Sequence, residues 1–206
     1  MAPSIDYYFT LISPFSYLGH KAFLAVAAKH EASITYRPMN LAGVFATSGA
    51  LPIPERPVSR QNYRLIELQR IADFRDLPLT LRPAHFPTNP ALANGAVAAI
   101  SAAGGDPADF MFEAFQACWV NERDISQPET VRELLDATGH DATAIMAAAT
   151  SQEIVAAMAD NTDAAIAAGA VGAPAYVLAG EPFWGQDRID YLDHALSTHR
   201  SPFTAG

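Results

Sequence analysis

The sequence predicts an α/β fold in which a βαβ unit and a ββα unit flank a long helical segment. Three observations support this prediction. Apolar side chains typical of strands fill residues 5–12 and 33–38, with helical spacing between them. Only helical patterns follow between residues 59 and 168, and strand patterns return from residue 171.

The first unit is a strand, a helix and a second strand. Residues 5–12 are rich in aromatic and branched side chains, which is typical of a buried strand. Leu18 and Phe23 lie at helical spacing, and the strand at 33–38 stops at Pro38. A helical connection of this kind joins two parallel strands by a right-handed crossover.

The middle of the chain is predicted to be helical. It starts with residues 39–57, which are rich in glycine, proline and small side chains. Ser126 and Glu129 match a capping box ahead of a further helix, which ends at Gly139. The predicted helices cover residues 59–75, 89–103, 108–120, 126–139, 141–148 and 151–168.

The last third predicts a hairpin and a final helix. Residues 171–178 form one strand, residues 179–182 a turn, and Phe183 and Trp184 the second strand. Helical spacing then runs over residues 187–198.

This order of elements is that of a thioredoxin-like fold with a large all-helical insertion. The thioredoxin-like domain then comprises residues 1–40 and 170–206, and the insertion comprises residues 41–169, within one continuous fold. By analogy with that fold, Pro174 is expected to follow a cis peptide bond opposite the start of the first helix.

Composition limits the function. A net charge of −9 and a pI near 5.0 disfavour nucleic-acid binding. The N-terminus lacks the features of a signal peptide and no apolar run reaches transmembrane length, so we expect a soluble, cytoplasmic protein without membrane association.

Cys118 is the single cysteine and cannot form an internal disulfide, and its apolar neighbours favour a buried, inert thiol. The histidines show no metal-ligand spacing, so no metal site is predicted.

Ser13-Pro14-Phe15-Ser16 stands where the first strand meets the first helix, the place of the Cys-x-x-Cys pair in a thioredoxin-like fold. Pro14 suits the first helical turn and Ser13 suits the N-cap. Ser13 therefore has two possible uses, as a helix cap or as a catalytic hydroxyl. A Ser-His-Asp triad through Ser13 stays open, although the chain lacks a Gly-x-Ser-x-Gly motif.

Four motifs, in order from about Ile5 to Leu196, resemble the 2-hydroxychromene-2-carboxylate isomerase family. The same pattern is similar to that of kappa-class glutathione transferases, and both groups resemble DsbA in fold. The motifs are Phe9-x-x-x-Ser13-Pro14-Phe15-Ser16-Tyr17-Leu18-Gly19, then Tyr63-x-x-x-Glu67-Leu68 with Leu77-Pro78, then Trp119 with Asp124-Ile125, and finally Gly172-Ala173-Pro174 with Phe183-Trp184-Gly185-Gln186-Asp187-Arg188.

The resemblance implies that glutathione is a cosubstrate. Ser13 would be the catalytic residue, donating a hydrogen bond to the glutathione sulfur. Ala173, before Pro174, would pair its backbone with the cysteinyl residue of glutathione. Asp187 would accept the γ-glutamyl ammonium, or act only as a helix cap. The implied glutathione-binding residues are Ser13, Arg60, Ala173, Pro174, Trp184, Gly185, Gln186 and Asp187, with Arg60 directed to the glycyl carboxylate.

For the second substrate, an aromatic small molecule, we expect Phe15, Phe86 and Asn89 to form the pocket walls; the alternative is that the aromatic residues belong to the core. The implied reaction is isomerisation of a conjugated aromatic acid by reversible thiolate addition, bond rotation and elimination. Two alternatives stay open, a kappa-like transferase or peroxidase and a non-catalytic peptide binder of this fold. A homodimer is expected from the resemblance. The chain departs from the family in lacking an asparagine before its proline-rich loop and in carrying Thr10 where relatives often have aspartate.

Overall fold

The computed structural model describes residues 2–205 and contains one four-stranded sheet in the order β2-β1-β3-β4. Strand β1 pairs with β2 in parallel and with β3 in antiparallel orientation, and β3 pairs with β4 in antiparallel orientation. The strands are β1 Ser4–Phe9, β2 Ser33–Pro38, β3 Ala175–Leu178 and β4 Glu181–Trp184.

Helices surround this sheet and fill the middle of the chain as predicted. The α-helices are α1 Pro14–Lys29, α2 Leu41–Ser48, α3 Val58–Arg75, α4 Ala91–Ala102, α5 Ala108–Trp119, α6 Pro128–Ala137, α7 Ala142–Ala149, α8 Gln152–Ala167 and α9 Ile189–Thr198. Short 3-10 helices span Ile53–Glu55 and Gln186–Arg188, so the final helix starts with a tighter turn than the sequence predicts. Within residues 2–205 no single helix is long and apolar enough to cross a membrane; only α7 and α8, bent by 63°, reach that length and composition together.

Helix α2 is an element that the small-residue composition did not indicate. The Asn40 side chain accepts a hydrogen bond from the Ala42 amide at 3.1 Å and caps its start. Gly43 lies against α8, where an added Cβ would come within 3.2 Å of the Thr162 methyl group. Tertiary contact therefore stabilises a helix that local propensity disfavours.

The capping box predicted at Ser126 and Glu129 is wrong. The cap position of α6 is Gln127, which makes no side-chain cap, and Pro128 opens the helix. The Asp124 carboxylate instead accepts hydrogen bonds from the Ser126 amide at 3.0 Å and the Thr88 hydroxyl at 2.5 Å. These hydrogen bonds lower the pKa of Asp124 below its ordinary value.

Topology brings an N-terminal and a C-terminal segment of the chain together, because β1 and β3 are neighbours at the centre of the sheet. Because β3 runs antiparallel to β1, the start of β3 lies beside the end of β1, with Ala175 paired to Tyr8. The residues just before β3 therefore face the turn that leads from β1 into α1. The Ala173–Pro174 bond is cis, which confirms the expectation from the fold.

His20 is a buried titratable group that the sequence did not single out. Its ring lies between Tyr7 and Phe115, with ring centroids 6.1 and 5.5 Å away, and its Nε2 lies 3.1 Å from the Ala108 carbonyl oxygen. Burial lowers the pKa of His20 from 6.5 to about 4, although the Ala108 carbonyl opposes this shift.

Because the pKa of His20 is lower in the folded state, we expect acid to destabilise the fold. The unfolded chain takes up a proton below pH 6.5 that the folded chain refuses until about pH 4. Keeping His20 neutral therefore contributes up to about 3 kcal/mol to the free energy of unfolding. This contribution is complete above pH 6.5 and is lost as the pH falls from 6.5 to about 4.

Urea unfolding at pH 7 and pH 4.5 measures this loss. A His20→Phe variant should show a smaller difference between the two pH values than the wild type. His194→Gln, which changes an exposed histidine, should keep the wild-type difference. Equal pH dependence in the wild type and His20→Phe would show that His20 does not cause it.

Candidate active site

Ser13 caps α1, which confirms one of its two predicted uses. Its Oγ accepts a hydrogen bond from the Ser16 amide at 3.1 Å. The hydroxyl proton points to a weaker partner, the Ala173 carbonyl oxygen at 3.5 Å. A stronger acceptor beside Ala173 could therefore accept the hydrogen bond from the Ser13 hydroxyl in place of this carbonyl, without disturbing the cap.

Ala173 presents an open peptide group to Ser13. Within residues 2–205, neither its N–H nor its carbonyl makes a backbone–backbone hydrogen bond. The neighbouring Pro174 carbonyl accepts from the Gly185 amide at 2.8 Å, which fixes the segment before β3. The Ala173 N–H and carbonyl, which belong to successive peptide groups, are thus available to pair with an extended ligand beside the start of α1, with only the long hydrogen bond from the Ser13 hydroxyl on the carbonyl.

The segment Trp184 to Asp187 lies on the other side of Ala173 and Pro174. Gly185 has φ of +102°, a backbone conformation that favours glycine over residues with a side chain. Asp187 is exposed and pairs with Arg188 at 2.6 Å rather than capping α9, which has no side-chain cap. Its carboxylate is therefore accessible to a ligand. The Trp184 indole is half exposed and covers Gly172, whose missing side chain makes room for it.

Gln186 is the buried member of this segment. A Cβ on Gly19 of α1 would lie 2.7 Å from the Gln186 Cβ, so glycine lets the segment approach the helix closely. Arg75, the last residue of α3, donates from Nη2 to the Gln186 side-chain and backbone oxygens at 3.3 and 3.4 Å. The insertion thereby holds the predicted γ-glutamyl site in place.

A second link from the insertion reaches the turn before Ser13. Asn94 of α4 accepts a hydrogen bond from the Leu11 amide at 3.0 Å and donates to the Thr10 hydroxyl at 3.2 Å. The Thr10 carbonyl in turn accepts from the Ser13 amide at 3.0 Å. Asn94 and Thr10 are both buried, so Thr10, where relatives often have aspartate, serves here as a neutral structural hydrogen-bonding group.

Two of the predicted substrate-binding residues, Phe15 and Phe86, flank Arg64, which sequence reasoning missed. The guanidinium carbon of Arg64 lies 5.9 Å from the centroid of the Phe15 ring and 5.9 Å from that of the Phe86 ring. Phe86 also packs on Trp119, with ring centroids 4.8 Å apart. Both aromatic side chains are only partly buried and pack against the core cluster, so they can be core residues and pocket walls together.

Asn89 lies in a different environment from this pair. Its side chain accepts a hydrogen bond from the Ala91 amide at 3.0 Å, at the start of α4. It lines a depression of about 280 Å³ with α7 and α8 residues, in which neither Phe15 nor Phe86 takes part. Its role in substrate binding stays a prediction. Arg60, the predicted contact for the glycyl carboxylate, is exposed on α3 one turn before Arg64.

Other reactive groups in residues 2–205 offer little chemistry. Burial raises the pKa of the Cys118 thiol to about 12, which agrees with the predicted inert thiol. No group of three or more histidine, cysteine or acidic side chains in this part of the chain could hold a metal ion. The site therefore offers a hydroxyl at a helix N-terminus, an open peptide group and nearby arginines, an arrangement suited to an anionic peptide-like ligand.

Comparison with known proteins confirms the fold. Residues 4–197 match the family model of the DSBA-like thioredoxin domain, so the chain belongs to the DsbA-like thioredoxin family. A solved structure of a 2-hydroxychromene-2-carboxylate isomerase superposes with a TM-score of 0.77 at 25% sequence identity, covering 95% of each chain.

Curated relatives confirm the resemblance drawn from the motifs. The chain is 29% identical to a 2-hydroxychromene-2-carboxylate isomerase from Sphingobium xenophagum, over 95% of this chain and 99% of that protein. It is 27% identical to glutathione S-transferase kappa 1 from Caenorhabditis elegans, over 94% of this chain and 91% of that protein. Full-length similarity to an isomerase and a transferase supports the prediction of an enzyme.

Proposed function

We propose that this protein is a glutathione-dependent isomerase of the 2-hydroxychromene-2-carboxylate isomerase type. The observation that carries the proposal is the pairing of the Ser13 hydroxyl with the open peptide group of Ala173 at the start of α1. A tripeptide thiol that pairs with Ala173 in an extended conformation would bring its sulfur to Ser13. The named isomerase and kappa-class relatives support the same assignment.

The residues present fit three polar parts of glutathione: its cysteinyl backbone, its ammonium and its glycyl carboxylate. Ala173 suits the cysteinyl backbone, and the exposed Asp187 carboxylate suits the γ-glutamyl ammonium. Arg60 suits the glycyl carboxylate, since no carboxylate of residues 2–205 is within salt-bridge distance of it. Bound glutathione would supply a thiolate that adds reversibly to a conjugated aromatic acid; the carbon–carbon double bond that it attacks becomes single and can rotate, and breakage of the carbon–sulfur bond then restores the double bond and releases glutathione unchanged.

The task of Ser13 is to keep that sulfur ionised. The dipole of α1 contributes about 0.3 to 1 kcal/mol, less than one pKa unit of about 1.4 kcal/mol. A hydrogen bond to a charged acceptor contributes roughly 1.5 to 3 kcal/mol, or one to two units. Because the Ser16 amide occupies one side of the Ser13 oxygen and the Ala173 carbonyl is only a distant acceptor, the hydroxyl can turn to a sulfur bound beside Ala173 without losing the cap.

The decisive experiment follows thiol and substrate together. Protein and glutathione are incubated with 2-hydroxychromene-2-carboxylate, and isomerisation is monitored by absorbance while free thiol is titrated. We expect turnover with no net loss of thiol. A parallel reaction with 1-chloro-2,4-dinitrobenzene tests the second candidate, a transferase, which the kappa-class similarity favours. Stoichiometric thiol loss there without isomerisation would replace the first function by the second.

Binding and activity measurements with the same protein and glutathione test the third alternative, a non-catalytic peptide binder. Calorimetry with glutathione should show saturable binding, and Ser13→Ala should lower the activity. Absence of both glutathione binding and a Ser13 effect would leave peptide binding at the Ala173 edge as the remaining interpretation. A reducing, cytoplasmic location is part of the proposal, since it would keep glutathione as a free thiol.

A further inference from the structure

Three arginines lie close together beside the start of α1. Arg60 and Arg64 are one turn apart on α3, and Arg56 precedes that helix by two residues. The mutual repulsion of their charges contributes to the lower pKa values of Arg56 and Arg64, to which burial contributes most. A concentration of positive charge is unusual in a chain whose net charge is −9.

These arginines have no anionic partner within residues 2–205. The same part of the chain forms ion pairs at Lys29, Arg37, Arg70, Arg123, Arg188 and Arg200, but none at Arg56, Arg60 or Arg64. On α3 itself, Arg70 pairs with Glu67 at 3.1 Å. Of the three, Arg60 is exposed, and Arg56 donates from Nε to the Leu51 carbonyl oxygen at 2.7 Å. Arg64 is partly buried and makes no hydrogen bond to residues 2–205.

Arg64 is held by aromatic surface rather than by charge. Its guanidinium carbon is 5.9 Å from the ring centroids of Phe15 and Phe86. Burial lowers the pKa of Arg64 to about 10, which still leaves it charged at neutral pH. An unpaired guanidinium in partly apolar surroundings gains more from an arriving anion than an exposed one does.

Phe15 connects this cation to the catalytic turn. It is the second residue of α1 and lies two positions after Ser13. A ligand that contacts the Phe15 ring and Arg64 therefore lies beside the first turn of the helix that Ser13 caps. Because the glycyl carboxylate is assigned to Arg60, Arg64 is available to bind a second anion.

We propose that Arg64 binds the carboxylate of the aromatic substrate through its two-pronged guanidinium, while Phe15 and Phe86 contact the aromatic ring. This inference rests on the proposed function and extends it by naming a residue that selects acids over neutral aromatic compounds. It does not require Asn89, which lines another depression.

The test compares naphthalene-2-carboxylate with naphthalene-2-carboxamide, which share the ring and differ in charge. Calorimetry measures both Kd values, with and without glutathione, for the wild type, Arg64→Gln, Arg64→Lys and Arg70→Gln. We expect Arg64→Gln to raise the Kd of the acid about 10- to 100-fold and that of the amide less than about threefold. Arg64→Lys should show an intermediate loss, and Arg70→Gln, an exposed change on the same helix, should show none.

Amide binding by Arg64→Gln reports that the surface formed by Phe15 and Phe86 is still folded, and urea unfolding checks the same point. An equal loss for acid and amide, an unchanged acid Kd, or no acid binding by the wild type would each overturn the proposal. Glutathione is titrated separately. If it does not bind, the proposed function fails, whereas the naphthalene pair still decides whether Arg64 holds an aromatic carboxylate.

Discussion

Replacing Ser13 by glycine is expected to lower kcat/KM at neutral pH by about 10- to 100-fold and to move the alkaline rise of its pH profile up by about one to two units. The physical reason is loss of the hydrogen bond to the glutathione sulfur, which raises the pKa of the bound thiol. Activity should then recover at higher pH, where the thiol ionises without help. The absorbance of the bound thiolate near 240 nm, followed against pH, measures the same shift directly.

Glycine is chosen because it separates the two uses of Ser13. It is a tolerable N-cap, costing only a few tenths of a kcal/mol relative to serine, whereas alanine costs about 1 kcal/mol. Ser13→Gly should therefore lose activity with little loss of stability, and Ser13→Ala should lose both. Ser13→Thr keeps the hydroxyl and should retain most of the activity.

Ser151 provides the matched control for capping. It caps α8 as Ser13 caps α1, with its Oγ accepting from the Ile154 amide at 3.3 Å. Ser151→Ala should lower the free energy of unfolding by about 1 kcal/mol and leave the pH profile unchanged. If Ser13→Gly and Ser151→Ala both left the profile unchanged, Ser13 would be a cap and nothing more.

Local sequence patterns predicted the parts of this site that depend on neighbouring residues. The strand-to-helix change at residues 9–17 placed Ser13 at a helix start, and Pro14 reinforced it. The order of strand and helix patterns predicted that Pro174 lies opposite. The place of Ser13 follows from short-range rules, whereas that of Pro174 was expected by analogy with the fold. The structure confirms the geometry of both, and the ligand contacts remain predictions.

Contacts between distant residues were not predictable in the same way. Arg64 is one of several arginines on a polar helix, and only the fold shows that Phe15 and Phe86 flank it. Helix α2 packs against Thr162, which lies far away in the sequence: Gly43 approaches its methyl group and the Asn40 amide donates to its hydroxyl at 3.0 Å. The capping box failed because Asp124, outside the four-residue pattern, supplies the carboxylate acceptor for the Ser126 amide that the pattern assigns to Glu129.

Asn94 had a sequence signal that could have been used. It is the one amide in the otherwise small and apolar stretch 91–100, which predicts a buried helix, and a buried amide must find hydrogen-bond partners. Its partners, the Leu11 amide and the Thr10 hydroxyl, belong to the turn that carries Ser13. The position of the turn that carries Ser13 therefore depends on a side chain from the insertion.

Replacing Asn94 by alanine is expected to lower the free energy of unfolding by about 3 kcal/mol, since it leaves the buried Leu11 amide without its acceptor and removes a partner from the Thr10 hydroxyl. Urea unfolding at one fixed protein concentration measures this change. Activity should fall as well, because the Thr10 carbonyl positions the Ser13 amide at 3.0 Å. The pH profile should stay in place, since the Ser13 hydroxyl is retained.

A double-mutant cycle with Thr10→Val isolates the amide–hydroxyl contact at 3.2 Å from the cavity left by alanine. Thr10→Val alone leaves the Asn94 N–H group unpaired, but in the Asn94→Ala background that group is already absent. The second substitution should therefore cost less there, by about 1 kcal/mol. Strict additivity would show that Asn94 acts through the Leu11 amide alone, and a stability loss below about 0.5 kcal/mol in Asn94→Ala would show that the insertion does not anchor the turn.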